Sequence, residues 1–350
     1  MDYRRLGRTD LTVSSLCLGT MTWGEQNTER EGHAQMDLAV DHGVNFFDTA
    51  ELYPIPPNAD TQGRTERIIG SWFKARGNRD KIVLATKVVG RTSMSWFREN
   101  GEPGQLNRSQ IETAIDRSLA NLKTDYIDLY QVHWPDRNVS GFGANPTRWA
   151  DPEPVENENR IEDTLGFLAD LVTAGKVRHV GISNESAWGT MRYLAAADSA
   201  GLPRIVSIQN AYSLINRTFE TSLAEIARRE AVGLLAYSVL AQGYLTGKYQ
   251  YGALPKGARK TLFERLQRYE KPGAAEAVSD YLDLAADHGL DPAQMALAFA
   301  RSRSFMTSVI LGATSIEQLA TNLGAADLVL DSETERRIDA IHQLRGNPAP

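Results

Sequence analysis

The chain has 350 residues, a length that fits one large domain or two of ordinary size. Hydrophobic residues make up 42% and charged residues 23%, which is typical of a soluble globular protein. With 38 Lys and Arg against 44 Asp and Glu the net charge is −6, and no basic cluster favours nucleic acid or an anionic membrane. No apolar run approaches the roughly 20 residues that cross a bilayer.

The amino terminus and the cysteine content indicate where the protein works. Met1 to Leu6 contains no continuous apolar segment of the kind that a signal peptide requires. The lone cysteine, Cys17, excludes an internal disulfide, and it is expected to pack in the core. His33 and His42 are not spaced to share one metal ion. We therefore expect a cytoplasmic protein without a metal site.

Short apolar, β-branched runs alternate with longer amphipathic stretches along the chain. Strands are predicted at Ser14–Thr20, Asn45–Ala50, Lys81–Val88, Ile127–Trp134, Val177–Asn184, Val206–Tyr212, Gly233–Leu240 and Ser308–Thr314. Helices are predicted at Glu29–His42, Arg64–Arg76, Asn107–Leu122, Ile161–Ala174, Ser186–Ala200, Arg217–Arg229, Ala274–His288 and Ser315–Gly324. Eight alternating pairs predict an α/β fold, a (β/α)8 TIM barrel, with residues 1–350 as a single domain.

A barrel of this kind needs about 250 residues, so roughly a hundred remain for additions. Tyr3–Val13 is predicted to form a hairpin ahead of the first barrel strand. Loops that follow strands build the face where the carboxyl ends of the strands meet. Three long segments do so: Val89–Leu106, Asp136–Arg160 and Ala241–Pro272. We expect Asp136–Arg160 to govern substrate choice.

Four ionisable side chains lie at or just after the ends of consecutive predicted strands. Asp48, Lys87 and His133 end strands two, three and four, and Tyr53 follows Asp48 closely. Singly, each has an ordinary structural interpretation: a loop-capping acid, a solvated strand end, a hydrogen-bonded histidine and a core aromatic residue. Their joint placement at the carboxyl ends of neighbouring barrel strands favours catalysis.

The motifs around these residues resemble the aldo-keto reductase family, in particular its bacterial members, over essentially the whole chain. The resemblance rests on Gly19-Thr20-Met21-Thr22-Trp23-Gly24, Phe47-Asp48-Thr49-Ala50-Glu51-Leu52-Tyr53, Lys87, His133-Trp134-Pro135, Gly181-Ile182-Ser183-Asn184 and Gly312-Ala313-Thr314. It implies NADPH-dependent reduction of an aldehyde or ketone to an alcohol.

Carbonyl reduction explains the need for these residue types. Hydride attack leaves an alkoxide-like oxygen, which requires a positioned acid. Tyr53 is the candidate proton donor, and Lys87 is expected to lower the pKa of its hydroxyl. Asp48 is expected to hold Lys87, while His133 orients the carbonyl or shares in proton transfer.

The cofactor prediction depends on the resemblance, because no Gly-x-Gly-x-x-Gly motif follows a predicted strand. The family implies an extended NADPH across the barrel mouth, with Ser183, Asn184 and Gln209 at the nicotinamide carboxamide and Tyr237 stacked on the ring. Lys248 and Arg259 are candidates for phosphate recognition, with solvated surface cations as the alternative. The other matching positions are Gly19, Thr20, Met21, Asp48, Ser238, Val239, Leu240, Ala241, Gln242, Gly243, Leu245, Gly312, Thr314, Gln318 and Asn322.

Two local questions stay open in the sequence. Val239 stands where related proteins often have proline, and it is expected to keep the same extended backbone. Trp23, Trp96 and Trp149 follow predicted strands, and they either line a substrate pocket or pack within loops.

Three functions compete at this stage. The first is an NADPH-dependent reductase of small carbonyl compounds, with neither nucleic acid nor membrane as a partner. The second is a regulatory subunit that binds the nucleotide but reduces carbonyls slowly, as some relatives attached to ion channels do. The third is a barrel isomerase or aldolase that uses Lys87 as a Schiff-base amine. The complete set of Asp48, Tyr53, Lys87 and His133 favours the reductase.

Overall fold

The structure, a computed structural model, describes residues 1–139, 149, 151–263 and 267–349. The strands in these residues are β1 (Tyr3–Arg5), β2 (Thr12–Ser14), β3 (Leu16–Gly19), β4 (Phe46–Asp48), β5 (Val83–Val88), β6 (Ile127–Val132), β7 (Val177–Ser183), β8 (Ser207–Ala211), β9 (Gly233–Tyr237) and β10 (Met306–Leu311). The helices are α1 (Glu29–Asp41), α2 (Arg64–Arg76), α3 (Arg108–Leu122), α4 (Ile161–Thr173), α5 (Ala187–Ala200), α6 (Leu223–Glu230), α7 (Arg259–Phe263), α8 (Ala274–Asp287), α9 (Pro292–Ser302), α10 (Ile316–Gly324) and α11 (Ser332–Arg345).

Strands β3 to β10 form a closed parallel barrel in chain order, and β10 pairs back onto β3 with Ile310 opposite Cys17. The predicted TIM barrel is therefore confirmed. Every residue of β5 and β6 is buried, as expected for parallel strands that are covered on both faces. Strands β1 and β2 pair antiparallel as the predicted hairpin.

The hairpin closes the amino-terminal end of the barrel. Leu6 and Val13 pack with side chains from inside the barrel, including Cys17, Phe46 and Leu235, and all five are buried. This apolar plug fills one end of the barrel interior, so the polar side chains inside the barrel concentrate at the other end. Cys17 is a core residue, as its sequence context predicts.

Several boundaries differ from the prediction, each for a local reason. Strand β9 ends at Tyr237 because Ser238 takes a left-handed conformation with φ of 57°. Val239 lies in the turn that follows, so the expectation of extended backbone there is wrong. The predicted helix Arg217–Arg229 is divided into a 3-10 turn, Thr218–Thr221, and the shorter helix α6.

Two helices that the sequence analysis left unassigned complete the outer layer. Helix α9 begins at a recognisable signal, since the Asp291 side chain accepts from the Gln294 backbone N–H and Pro292 takes the first helical position. Helix α11 occupies most of the carboxy-terminal extension and is capped in the same way by Asp331. In the described part of the chain, no helix is both long enough and apolar enough to span a membrane.

We expect opposite effects from alanine at two mid-helix glycines, Gly70 in α2 and Gly166 in α4. A Cβ at Gly70 would lie 2.8 Å from the Leu122 carbonyl carbon, whereas one at Gly166 would meet nothing within 4 Å. Gly70→Ala should lower the free energy of unfolding by about 1–3 kcal/mol through overpacking. Gly166→Ala should raise it by about 0.5–1 kcal/mol through helix propensity. Urea unfolding followed by circular dichroism measures both, and shifts of the same sign would refute the close-approach argument.

Candidate active site

The open end of the barrel leads into a cavity of about 1300 Å³. Its wall is built from residues at and after the carboxyl ends of the strands, among them Gly19, Tyr53, His133, Tyr237 and Gly312. This volume exceeds the range of about 300–1,000 Å³ that holds a drug-sized ligand. The cavity therefore has room for a molecule larger than a simple carbonyl compound.

A buried lysine joins three of the predicted residues. Asp48 ends β4 opposite Ala85 of β5, so the Lys87 side chain two residues further along β5 reaches the same level. The Lys87 ammonium donates to Asp48 Oδ2 at 2.7 Å and to the Thr49 carbonyl oxygen at 2.7 Å. It also donates to the Tyr53 hydroxyl at 3.4 Å. The side chain is 0% exposed, so the alternative of a solvated strand end is wrong.

The second oxygen of Asp48 is also fully engaged. Its Oδ1 accepts from the Gln209 amide at 2.8 Å and from the Gln131 amide at 3.3 Å. Gln131 lies opposite Lys87 in the β5–β6 register and two residues before His133 on the same face of β6. The sequence analysis missed Gln131, although this period-two spacing pointed to it. Together the contacts hold the Asp48 carboxylate from three strands.

His133 follows β6 and lies beside Tyr53 in the wall. The two rings meet edge to face, with their centroids 5.8 Å apart. The backbone oxygen of His133 accepts from the Asn184 amide at 2.8 Å, which connects it to the end of β7. Among the described residues the buried Nδ1 of His133 has no hydrogen-bond partner. The imidazole is thus fixed in place and retains an unused polar atom.

Burial controls the protonation of the three groups. Burial raises the pKa of Tyr53, and the nearby Lys87 ammonium opposes this without reversing it. Lys87 therefore acts on the Tyr53 pKa in the predicted direction, but burial outweighs it. Burial lowers the pKa of Lys87, but Asp48 and Tyr53 outweigh it, so the pKa lies above its ordinary value. Burial lowers the pKa of His133 well below its ordinary value, and the charge of Lys87 lowers it further. At neutral pH the site holds an ammonium, a neutral phenol and a neutral imidazole.

Most of the predicted cofactor positions contribute to the cavity wall. They are Gly19, Thr20, Met21, Asp48, Asn184, Gln209, Tyr237, Ser238, Val239, Leu240, Gln242, Gly243, Lys248, Arg259, Gly312, Thr314, Gln318 and Asn322. Ser183, Ala241 and Leu245 do not reach it. The Ser183 hydroxyl donates instead to the Gln209 carbonyl oxygen at 2.7 Å, and Ala241 and Leu245 are buried in the apolar core.

Two cations in the wall lie beyond β9. The Lys248 ammonium is half-buried over the Tyr249 ring at 5.2 Å, and no carboxylate of the described residues lies within ion-pair distance. Burial, followed by the charge of Arg259, lowers the pKa of Lys248. An anion between two like charges relieves their repulsion and forms charge-assisted hydrogen bonds. This part of the cavity is therefore suited to a phosphate.

Arg268 is one of several charged residues in the wall that were not predicted. Burial lowers the pKa of Arg268, but the neighbouring Tyr237 and Tyr269 outweigh it, so the pKa lies above its ordinary value. The Tyr237 hydroxyl in turn donates to Asn184 Oδ1 at 2.6 Å. Arg268 belongs to a long irregular segment without a motif or a period, so the sequence carried no signal for it. Its charge acts on Tyr237, whose ring also lines the cavity.

Most of the tryptophans pack within the protein and do not line the cavity. Trp23 is buried and donates to Gln35 at 3.1 Å, and Trp96 stacks on Phe97. Trp149 is exposed and does not line the cavity, whereas Trp134 does.

Much of the predicted substrate loop, residues 140–148 and 150, lies outside the described residues. In the described part of the chain, no cluster of His, Cys, Asp and Glu could hold a metal ion.

The sequence is similar to several known proteins. A model of the Aldo/keto reductase family matches residues 15–343, which include every strand of the barrel. Protein tas of Escherichia coli (strain K12) is 50% identical over 354 residues, covering 100% of both chains. An uncharacterized oxidoreductase, YrpG of Bacillus subtilis, is 35% identical over 100% of this chain and 98% of its own. A probable voltage-gated potassium channel subunit beta of Arabidopsis thaliana is 30% identical over 94% of this chain and 92% of its own.

We expect the buried, neutral His133 to weaken the fold in acid. In the unfolded chain its imidazole protonates near 6.5, but in the folded protein its pKa is well below that value. Protons therefore bind preferentially to the unfolded state as the pH falls, which costs up to about 1.4 kcal/mol per pH unit. Replacing His133 by Asn removes this contribution. The loss of unfolding free energy from about pH 7 to about pH 5 should then shrink by up to about 2 kcal/mol.

Urea unfolding at the two pH values provides the measurement, and His42→Asn, at an exposed histidine, serves as the control. The control should lose as much stability in acid as the original protein. Equal losses in His133→Asn and the control would contradict the argument from burial.

Proposed function

Because the chain belongs to the aldo/keto reductase family, we propose that it is an NADPH-dependent enzyme that reduces an aldehyde or ketone to an alcohol. Tyr53 is the proton donor in this proposal. The observation that carries it is the buried Lys87 ammonium, which is bound by Asp48 and directed at the Tyr53 hydroxyl in the cavity wall.

The chemistry follows from the three protonation states. When bound, NADPH supplies the hydride that reaches the carbonyl carbon. The neutral Tyr53 phenol gives its proton to the carbonyl oxygen as negative charge develops there. The phenolate that remains lies beside the Lys87 ammonium, whose charge stabilises it in a site with little water. Neutral His133, which lies beside Tyr53 in the cavity wall, orients the carbonyl oxygen by a hydrogen bond.

The residues of the wall fit a phosphorylated dinucleotide. The cavity exceeds the volume of a drug-sized ligand, and Lys248 has no carboxylate partner among the described residues. Lys248 and Arg259 would hold a phosphate, while Thr314 and Gln318 at the amino terminus of α10 would meet the adenosine end. Asn184 and Gln209 would bind the nicotinamide carboxamide, and Tyr237 would stack on its ring. We further propose that the substrate is a small carbonyl compound. We also propose that the enzyme is cytoplasmic, since the lone thiol of Cys17 forms no disulfide.

Removal of the Tyr53 hydroxyl should abolish turnover without preventing cofactor binding. We expect Tyr53→Phe to lower kcat for aldehyde reduction by about 10²- to 10⁴-fold, the usual contribution of a general acid. Its Kd for NADPH should stay within about twofold, because the ring is kept. Tyr130→Phe is the matched control, since that buried hydroxyl has no partner among the described residues. The assignment fails if Tyr53→Phe turns over as fast as the control does.

Arg259 should discriminate between the two nicotinamide cofactors. We expect Arg259→Ala to weaken NADPH binding by about 10- to 100-fold, since a guanidinium–phosphate contact contributes about 1.5–3 kcal/mol. NADH lacks the extra phosphate, so its Kd should change little. Fluorescence titration with both cofactors measures this, with Lys271→Ala, outside the wall, as the control. Equal weakening of both cofactors would place Arg259 at the pyrophosphate or in the fold instead.

A further inference from the structure

A second buried ion pair lies immediately beside the catalytic set. Both nitrogens of the Arg98 fork donate to the Glu51 carboxylate, at 2.9 Å to Oε2 and at 3.2 Å to Oε1. The two side chains are only 4% and 1% exposed, so water does not share these bonds. The mechanism proposed above uses neither residue.

Glu51 connects the loop of Tyr53 to the strand that carries Lys87. It stands two residues before Tyr53, and its Oε1 also accepts from the Val89 backbone N–H at 2.8 Å. Its own backbone N–H donates to the Lys87 carbonyl oxygen at 3.2 Å. Tyr53 itself follows β4 and belongs to no strand, so the barrel ladder does not fix its position. Glu51 supplies that connection through two bonds to the end of β5.

Arg98 extends the connection to a second segment that lines the cavity. It belongs to the segment after β5, in which Thr92 and Met94 line the cavity. Its Nε donates to the Gln110 side chain at 3.1 Å, which ties the pair to α3. The ion pair therefore joins the loop of Tyr53 to the segment that carries Thr92 and Met94, and Met94 packs against the same apolar cluster as Tyr53.

We propose that Glu51 and Arg98 are positioning residues, which hold the Tyr53 hydroxyl at Lys87 and in line with the wall formed by Thr92 and Met94. This inference rests on the proposed function of Tyr53. Replacement of a buried ion pair by apolar residues is often neutral or stabilising, so stability alone gives a weak reason for such a pair. A bidentate fork fixes both distance and orientation, and these are what a proton donor in a loop requires.

The test compares two carboxylates that bind the two ends of β5. Asp128 is the control, because its Oδ2 accepts from the Leu84 backbone N–H at 2.9 Å and from Arg79 at 2.7 Å, far from the cavity. Glu51→Gln and Asp128→Asn each remove one buried charge and keep the shape. We expect Glu51→Gln to lower kcat by about 10- to 100-fold, the effect of a small misplacement. Its Kd for NADPH should stay within about twofold. Asp128→Asn should leave kcat unchanged.

A second variant keeps the test decisive if Glu51→Gln is too unstable to purify. Glu51→Gln combined with Arg98→Met removes both charges, which buried sites generally tolerate. It should show the same loss of kcat. The alkaline limb of its kcat–pH profile should also move to higher pH, because the Lys87 ammonium lowers the pKa of Tyr53 and the displaced ring loses that effect. Asp128→Asn should leave the limb in place.

The outcomes separate this inference from the proposed function. Loss of kcat in the Glu51 variants with a displaced alkaline limb supports the positioning role. Unchanged kcat in them, an equal loss in Asp128→Asn, or an unmoved limb overturns it. If Tyr53→Phe loses turnover while the Glu51 variants do not, only the positioning role is wrong. If Tyr53→Phe retains full turnover, the proposed function and this inference are both wrong.

Discussion

The burial of the Lys87 ammonium is the constraint on which the site depends. A charge in the protein interior is destabilising by several kcal/mol unless it is paired and hydrogen-bonded. Asp48 and the Thr49 carbonyl oxygen supply those bonds from β4 and the residue after it. Asp48 must then be satisfied on its other oxygen, which brings in Gln131 and Gln209 from β6 and β8. One buried charge on β5 thus specifies polar residues on three other strands, and the parallel register places them at one level.

Burial also determines the protonation states of Tyr53, His133 and Lys87. In a site with little water the phenol of Tyr53 and the imidazole of His133 both stay neutral, since burial disfavours their charged forms. Lys87 stays charged because Asp48 compensates it. Reduction of a carbonyl needs a protonated donor beside a fixed positive charge, which is this combination. The charge of Lys87 also acts more strongly here than it would in water, because the surroundings screen it less.

The sequence predicted the barrel and its hairpin, since apolar periodicity is a local signal. It also predicted that Asp48, Tyr53, Lys87 and His133 converge, since strand ends can be recognised locally. The period-two spacing from His133 also pointed to Gln131, and capping by Asp291 marked the start of α9. Arg98 and Arg268 could not be predicted, because they belong to irregular segments that have no repeating pattern. The effect of Lys87 on the Tyr53 pKa was predicted, whereas the burial that outweighs it could not be read from the sequence.

The two ends of β5 show how position alone separates structural from functional roles. Asp128 and Glu51 use similar chemistry, since each buried carboxylate accepts one backbone N–H of β5 or its extension and pairs with arginine. Asp128 pairs with Arg79 and Arg178, and Glu51 pairs with Arg98. At the closed end, the Asp128 pair joins neighbouring strands beside an apolar plug and has nothing further to orient. At the open end, the Glu51 pair lies two residues from a phenol whose distance from Lys87 controls its acidity. If Tyr53 is the proton donor, as proposed, the ion pair there constrains the reacting group, so its contribution should appear in kcat rather than in the free energy of unfolding.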